Sequence, residues 1–423
     1  MKYTLSKQAD KKIEGDMKFI VEEIKKRIPS TISIFLTGGF SRGEGPIKKI
    51  NGKFYPYNDY DIQIIVQKKI SKEETDQIAS EISQKLGYGG INEIFYPFKK
   101  ENQNIKNSFY IDLKCGSPKD LTKLLPRIRN YELRNNSKLL YGKDLRYLIP
   151  DYKLNKIPFA EGAKLLLDRM SQMVEYFSLE GKHEKECLTY FIQQAYAACC
   201  TSLLLLSRKY KIGYLKSMKI LKRTYQKDFP ELYKNVPRLH LKIEQFIKWK
   251  INPQKLPNEN VEEEWFIAKE SILEVSKYFF SRFLGTKIKD ETELAKGIYN
   301  MQRQFHLPYL REMVKNKFGI YFGGLNVLLL PFVSLALKWK YYQRLKQNGI
   351  KKFSVIFEKS PDLIIFASLI FLIDCINDDG IDEEKLKKAK KLLSKVYPVK
   401  SDDWENISVE YANAYIAFFM QKL

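Results

Sequence analysis

The sequence predicts an α+β protein: a small N-terminal mixed β-sheet with flanking helices, followed by a large all-α domain. Three observations carry this. Short segments of period two dominate the early part of the chain, a glycine-rich turn (Thr37 to Gly45, TGGFSRGEG) interrupts them, and from about residue 119 the apolar spacing changes to three and four. A chain of 423 residues accommodates two domains or three at roughly 100 to 200 residues each. Their expected extents are 1–150 and 151–423, with the Pro-containing stretch 252–260 and the segment 285–290 as candidate subdivisions of the second.

The elements follow in order. Ile13, Met17, Ile20, Val21, Ile24 and Ile28 recur at spacings of three and four, which predicts an amphipathic helix over 10–28, closed by Pro29. Ile32 to Leu36 reads as a short strand leading into the glycine turn. Asn51-Gly52 is a hairpin signal, and Asp59 to Val66 then alternates, placing Asp59, Asp61, Gln63 and Ile65 on one face. Ser71 with Glu74 three positions on is a capping-box pattern that starts a helix over 71–86. Two more strands are expected, near Ile91 to Phe98 and Phe109 to Lys114. The latter sets Tyr110, Asp112 and Lys114 against Phe109, Ile111 and Leu113.

Beyond residue 119 the pattern reads as helical to the end, with Leu165, Leu166, Met170, Met173, Val174 and Phe177 forming one stripe. The apolar run from Phe318 to Leu337 is nearly long enough to span a bilayer. Gly323, Gly324, Asn326 and Pro331 interrupt it, so two buried core segments and no stable membrane insertion are expected. Leu363 to Ile373 is too short to span and reads as a core helix.

Hydrophobic residues at 44% and charged residues at 29% exclude a disordered or fibrous chain. Lys plus Arg number 73 against 50 Asp plus Glu, a net +23, which attracts polyanions: nucleic acid, nucleotide phosphates or an anionic membrane face. Five cysteines without a CxxC pair and three histidines exclude a disulfide scaffold, a zinc finger and an HExxH protease. The N-terminus carries no apolar signal region, so a cytoplasmic location is expected.

The chemistry-bearing residues lie in the first part of the chain. Asp59 and Asp61 on one strand face repel each other unless a cation lies between them. If the strand bearing Asp112 is adjacent, three oxygen donors meet and suit Mg²⁺, with coordination positions left for substrate phosphates. Gly38 and Gly39 allow backbone N–H groups to approach phosphate oxygens, and Ser41, Arg42 and Lys114 add a hydroxyl and two positive charges. Two roles are open to Arg42, a phosphate clamp and an ion pair with Glu44. Tyr57 and Tyr60 read as sheet packing, and His240 and His306 as structural.

The order Thr37-Gly38-Gly39, Asp59-Tyr60-Asp61-Ile62 and Asp112 resembles the nucleotidyltransferase superfamily that includes DNA polymerase β, CCA-adding enzymes and aminoglycoside nucleotidyltransferases. Leu140 to Leu145 (LYGKDL) is similar to the Tyr-Gly-x-x-Leu turn at the end of the catalytic domain in antibiotic-type members. Gly39 stands where Ser is common, and the interval from Gly39 to Asp59 is longer than in many members. The resemblance covers roughly the first 150 residues. It implies a nucleotidyltransferase catalytic domain in which Asp59, Asp61 and Asp112 hold two Mg²⁺ ions. Gly38, Gly39, Ser41, Arg42 and Lys114 would bind the nucleotide, with ATP the expected NTP. It also implies in-line attack at the α-phosphorus with release of pyrophosphate, Asp112 or a Glu such as Glu161 acting as base. The acceptor is expected to be a hydroxyl of a small molecule; RNA or an oligonucleotide is the alternative, and the oligomeric state stays open.

Overall fold

Apolar spacing, glycine turns and strand alternation translate directly into the N-terminal elements. The computed structural model describes residues 1–88, 110–318, 327–377 and 380–419. Its first part runs α1 (Lys7–Arg27), β1 (Thr31–Leu36), α2 (Gly38–Arg42), β2 (Ile47–Ile50), β3 (Lys53–Pro56), β4 (Asp59–Val66), α3 (Lys72–Lys85), β5 (Tyr110–Gly116), α4 (Pro118–Leu121), α5 (Ile128–Asn136) and β6 (Lys138–Gly142). The Ser71 hydroxyl accepts from the Glu74 N–H, as the capping pattern requires. Asn51 and Gly52 both take positive φ at the tip of the β2–β3 hairpin. The strand expected near Ile91 to Phe98, and Phe109 itself, lie outside the described residues.

The main sheet has the order β5-β4-β1-β6, with β5 parallel to β4 and β1 antiparallel to β4 and β6. Ile34, Leu36, Tyr60, Ile62, Ile64, Ile111 and Leu113 point to one face and pack on α1 and α3. The opposite face carries a smaller core around Phe35, Ile65, Leu121 and Leu133 at one end and the acidic residues at the other. Tyr60 is fully buried, and its hydroxyl donates to Asp16 at 2.8 Å, the packing role expected of it.

β6 is a correction to the expectation of helix throughout the second part. The Lys138–Gly142 segment pairs with β1 as an edge strand and closes at Gly142 (φ 80°), where a Cβ would lie 1.9 Å from the Ile32 carbonyl oxygen. Five residues with one glycine are too few for a periodicity to declare itself.

The remainder is helical: α6 (Phe159–Tyr176), α7 (Lys185–Leu206), α8 (Tyr214–Asp228), α9 (Pro230–Asn235), α10 (Leu239–Ile251), α11 (Val261–Leu284), α12 (Glu291–Asn300), α13 (Gln302–Phe318), α14 (Leu330–Gln347) and α15 (Pro361–Asp374). A two-residue ladder, β7 (Ile376–Asn377) with β8 (Gly380–Ile381), then precedes α16 (Glu383–Leu393) and α17 (Trp404–Phe419). Buried side chains from Ile157 to Ala417 form one continuous cluster. α15 is buried on every side, as expected of Leu363 to Ile373. α14 is not a core helix. It starts with Pro331 in its first turn and buries Leu330, Ser334, Tyr341 and Leu345, while Phe332, Leu335 and Trp339 remain exposed. No helix among the described residues is long and apolar enough to cross a membrane.

Glu175 on α6 is buried, and its Oε1 has no hydrogen-bond partner among the described residues. Burial, with Asp168 nearby, pushes its pKa up to about 8. A carboxyl group raised in the folded state binds more protons there than in the unfolded chain, so stability falls as pH rises from about 4.5 to about 8. Glu175→Gln is expected to remove that slope and to stabilise the chain above pH 8, by about 5 kcal/mol at most. Urea unfolding at pH 6 and pH 9 checks this; a variant no more stable than the parent at pH 9 refutes it.

Candidate active site

β4 leaves the β2–β3 hairpin at Asn58, which holds φ at 112°, a conformation few non-glycine residues adopt. Its side-chain amide donates to Asp59, and its Oδ1 accepts from the Tyr190 hydroxyl on α7 at 2.8 Å. Two residues on, Asp61 stands directly opposite Asp112 of β5 in the parallel register, and Asp59 stands opposite Tyr110. The three carboxylates, all half-buried, each offer an oxygen within 4.8 Å of the others. The adjacency required of the Asp112 strand is therefore met.

The glycine turn closes over this cluster. Thr37 donates its N–H to the Asp61 carbonyl at 2.8 Å, which anchors the turn to β4. Gly38 follows with φ 68°, and a Cβ there would sit 2.1 Å from Asp61 Oδ2. Only glycine brings the turn so close to that carboxylate. Gly39 also lines the site. Ser41 is buried, and its hydroxyl donates to the Gly38 carbonyl at 2.9 Å, so it fixes the turn.

The Lys114 ammonium is bonded to Asp112 and lies 3.7 Å from Asp61. Burial lowers its pKa, but these two carboxylates outweigh burial and the net shift is upward. Burial raises Asp59 well above its ordinary value, with Asp61 and then Asp112 adding to the effect. Asp61 is raised by burial despite the neighbouring Lys114. One ammonium among three carboxylates leaves the cluster short of positive charge.

Arg42 realises the ion pair of its two open roles, although buried, with its side chain only 8% exposed. Its guanidinium donates to Glu132 at 2.8 Å, lies 3.5 Å from Glu44 and covers the Tyr214 ring. Glu44 in turn accepts from the Tyr214 and Leu215 N–H groups at 2.9 and 3.1 Å, capping α8. Lys48 reaches Glu186 on α7 at 2.6 Å. These bonds fasten the sheet to the helical part.

Glu161, the other base considered, lines the same cavity but is largely enclosed. Its oxygens accept from the Ile128 N–H and the Tyr309 hydroxyl, and Arg127 lies 3.9 Å away. Both oxygens are engaged in joining α5, α6 and α13.

A cavity of about 990 Å³ opens from Gly38, Asp59 and Asp61 toward α6, α7 and α10. Sequence reasoning missed three of its cations: Arg129 on α5, Arg169 on α6 and Lys250 on α10. None has a carboxylate within ion-pair distance among the described residues. Arg169 donates to Gln172, and Lys250 lies over the Tyr190 and Tyr214 rings at 5.5 and 5.0 Å. Burial, then Arg169, pushes Lys250 down to about 7. Isolated basic residues on three separate helices form no motif, so only the fold reveals them. A comparison of the chain with models of known protein families and with proteins of established function finds no match.

Proposed function

We propose that the chain is a Mg²⁺-dependent nucleotidyltransferase that moves an NMP from an NTP, ATP being the expected donor, to a hydroxyl of a small-molecule acceptor. The convergence of Asp59, Asp61 and Asp112 from two adjacent strands beneath Gly38 carries this reading. The donor set is all oxygen, as Mg²⁺ prefers, and two of its carboxylates are held back from ionising by burial and by their neighbours, a cost that divalent cations remove. When bound there, the ions polarise the phosphates and neutralise charge that develops in the transfer.

The chain's own residues do the rest. Gly38 and Gly39 present a surface without side chains to the triphosphate, and Arg129, Arg169 and Lys250 supply positive charge around the cavity. The acceptor oxygen bonds to the α-phosphorus, the α–β phosphoanhydride bond breaks, and pyrophosphate leaves. With Glu161 engaged elsewhere, Asp112 is the group that receives the acceptor's hydroxyl proton. A compact acceptor is favoured over RNA because residues of α6, α7 and α10 line the same cavity as the acids, and the Asn58–Tyr190 bond ties α7 to the start of the acidic strand.

The test is to incubate the full chain with Mg²⁺ and each α-labelled NTP, together with either an RNA-free metabolite extract or total tRNA. Label on a small product is the expected result; label on RNA moves the acceptor to the alternative, and absence of Mg²⁺-dependent nucleotide binding overturns the assignment. Lys250→Gln is expected to weaken Mg-ATP binding by roughly tenfold at pH 6, as for loss of one charge-assisted bond. With its pKa near 7, Lys250 loses its charge as pH rises, so the gap between parent and variant seen at pH 6 closes by pH 8.5, whatever pH dependence the carboxylates give to both. Calorimetry at pH 6 and pH 8.5 reads both.

A further inference from the structure

α14 is apolar on two opposite faces, and only one of them is packed. Leu330, Ser334, Tyr341 and Leu345 are buried, whereas Leu328 in the preceding turn, Phe332, Leu335 and Trp339, spaced four, three and four apart, face outward. Phe332 is 71% exposed and Trp339 51%. The surface continues through an aromatic chain: Trp339 to Tyr342 at 5.7 Å, Tyr342 to Phe353 at 5.4 Å, and Phe353 to Phe357 at 5.7 Å, the last residue 80% exposed. Solvent-exposed apolar surface of this continuity marks an interaction site.

Its charge identifies the partner. From Val327 to Phe357 the sequence contains no Asp or Glu, while Lys338, Lys340, Lys346, Lys351 and Lys352 border the apolar ridge. None of these lysines is in an ion pair among the described residues. A second copy docking through the same face about a twofold axis would set these lysines against their own counterparts with no acid to pair them. Protein interfaces also tend to exclude lysine from their centres. An apolar and aromatic ridge with lysines on both sides suits a layer with an apolar interior and an anionic surface.

We infer that the outer face of α14, with Phe353 and Phe357, docks peripherally on an anionic lipid bilayer. The aromatic and leucine side chains enter the acyl boundary, and the lysines meet lipid phosphates. Nothing in this depends on the chemistry assigned to the acidic cluster.

The experiment uses the full chain with vesicles of phosphatidylcholine alone and of phosphatidylcholine mixed with phosphatidylglycerol. Co-sedimentation with the mixed vesicles only is expected. Phe332→Ser with Trp339→Ser is expected to weaken it by roughly tenfold or more, and Lys351→Gln with Lys352→Gln by roughly tenfold. Trp249, Trp265 and Trp404 are buried, so quenching by bromine-labelled lipid reports Trp339 in the unmodified chain and decides the matter even if a variant fails to fold. Sedimentation with neither vesicle, or a mixed-vesicle interaction without quenching, overturns the inference. A concentration-dependent dimer lost in the Phe332→Ser variant, with no vesicle binding, assigns the face to a second copy instead; retention by RNA with no vesicle binding assigns it to nucleic acid.

Discussion

Asp61→Asn is expected to cut Mg²⁺-dependent transfer by about a thousandfold or more, the several kcal/mol of charge stabilisation that a displaced metal withdraws, while making the folded chain more stable. Activity and stability move in opposite directions because the carboxylate is held in a buried site beside Asp112, and its pKa is raised. A carboxyl group raised in the folded state opposes folding as pH climbs through the interval between its unfolded and folded values; asparagine keeps the shape and has no such cost. Asp59→Asn should behave alike, since its carboxyl is raised further and by the same causes. Turnover of labelled NTP, Mn²⁺ binding by calorimetry and urea unfolding at pH 7 together test this. A fully active Asp61→Asn protein, or one that binds Mn²⁺ as the parent does, would remove the metal assignment.

The adjacent glycines separate in a second experiment. Gly38→Ala places a methyl group 2.1 Å from Asp61 Oδ2 and asks an alanine to hold φ at 68°. The backbone cost is roughly 1 to 2 kcal/mol, and the carboxylate or the turn must move. A shift of about 1 Å in a reacting group typically costs on the order of a hundredfold in rate, which is the loss expected here. Gly39→Ala meets its nearest atom, the Glu44 carbonyl oxygen, at 3.4 Å and needs no left-handed backbone. It leaves Asp61 in place, so its loss reads only the methyl group's approach to the triphosphate and is expected to be within about tenfold, clearly smaller than that of Gly38→Ala. Equal losses in the two variants would mean that the turn serves the site through its general flexibility and not through the approach of Gly38 to Asp61.

Local sequence pattern specifies the acidic strand well. Alternation over Asp59 to Val66 determines which side chains face the core, and a sheet with one face buried admits only one register, so the acids could be placed on a common face without coordinates. The pairing of Asp61 with Asp112 is non-local: it depends on a parallel crossover, and sequence order alone does not say which strands become neighbours. Arg42 was ambiguous for a related reason. Its partner Glu44 is visible two residues away, but Glu132 and Tyr214 are brought to it only by folding. Arg129, Arg169 and Lys250 do not stand out among 73 basic residues, because what distinguishes them is a shared cavity without a carboxylate at ion-pair distance among the described residues. In α14 the sequence signal misled: apolar residues all round a helix normally mean burial, and here one of the two apolar faces is outward.

The bonds from Glu44 to α8 and from Asn58 to α7 also carry a consequence for the order of events during synthesis. The acidic strand leaves the ribosome early, whereas Tyr190, Tyr214 and Lys250, which wall it in, follow more than a hundred residues later. Domains tend to fold as they emerge, so over that interval Asp59 and Asp61 lack the cover of α7 and α10. These helices, which line the cavity, arrive after the sheet, and burial is the first cause of the raised pKa of both carboxylates. A chain halted before α10 would hold all three carboxylates yet lack Lys250 and the part of the cavity lining that α10 supplies.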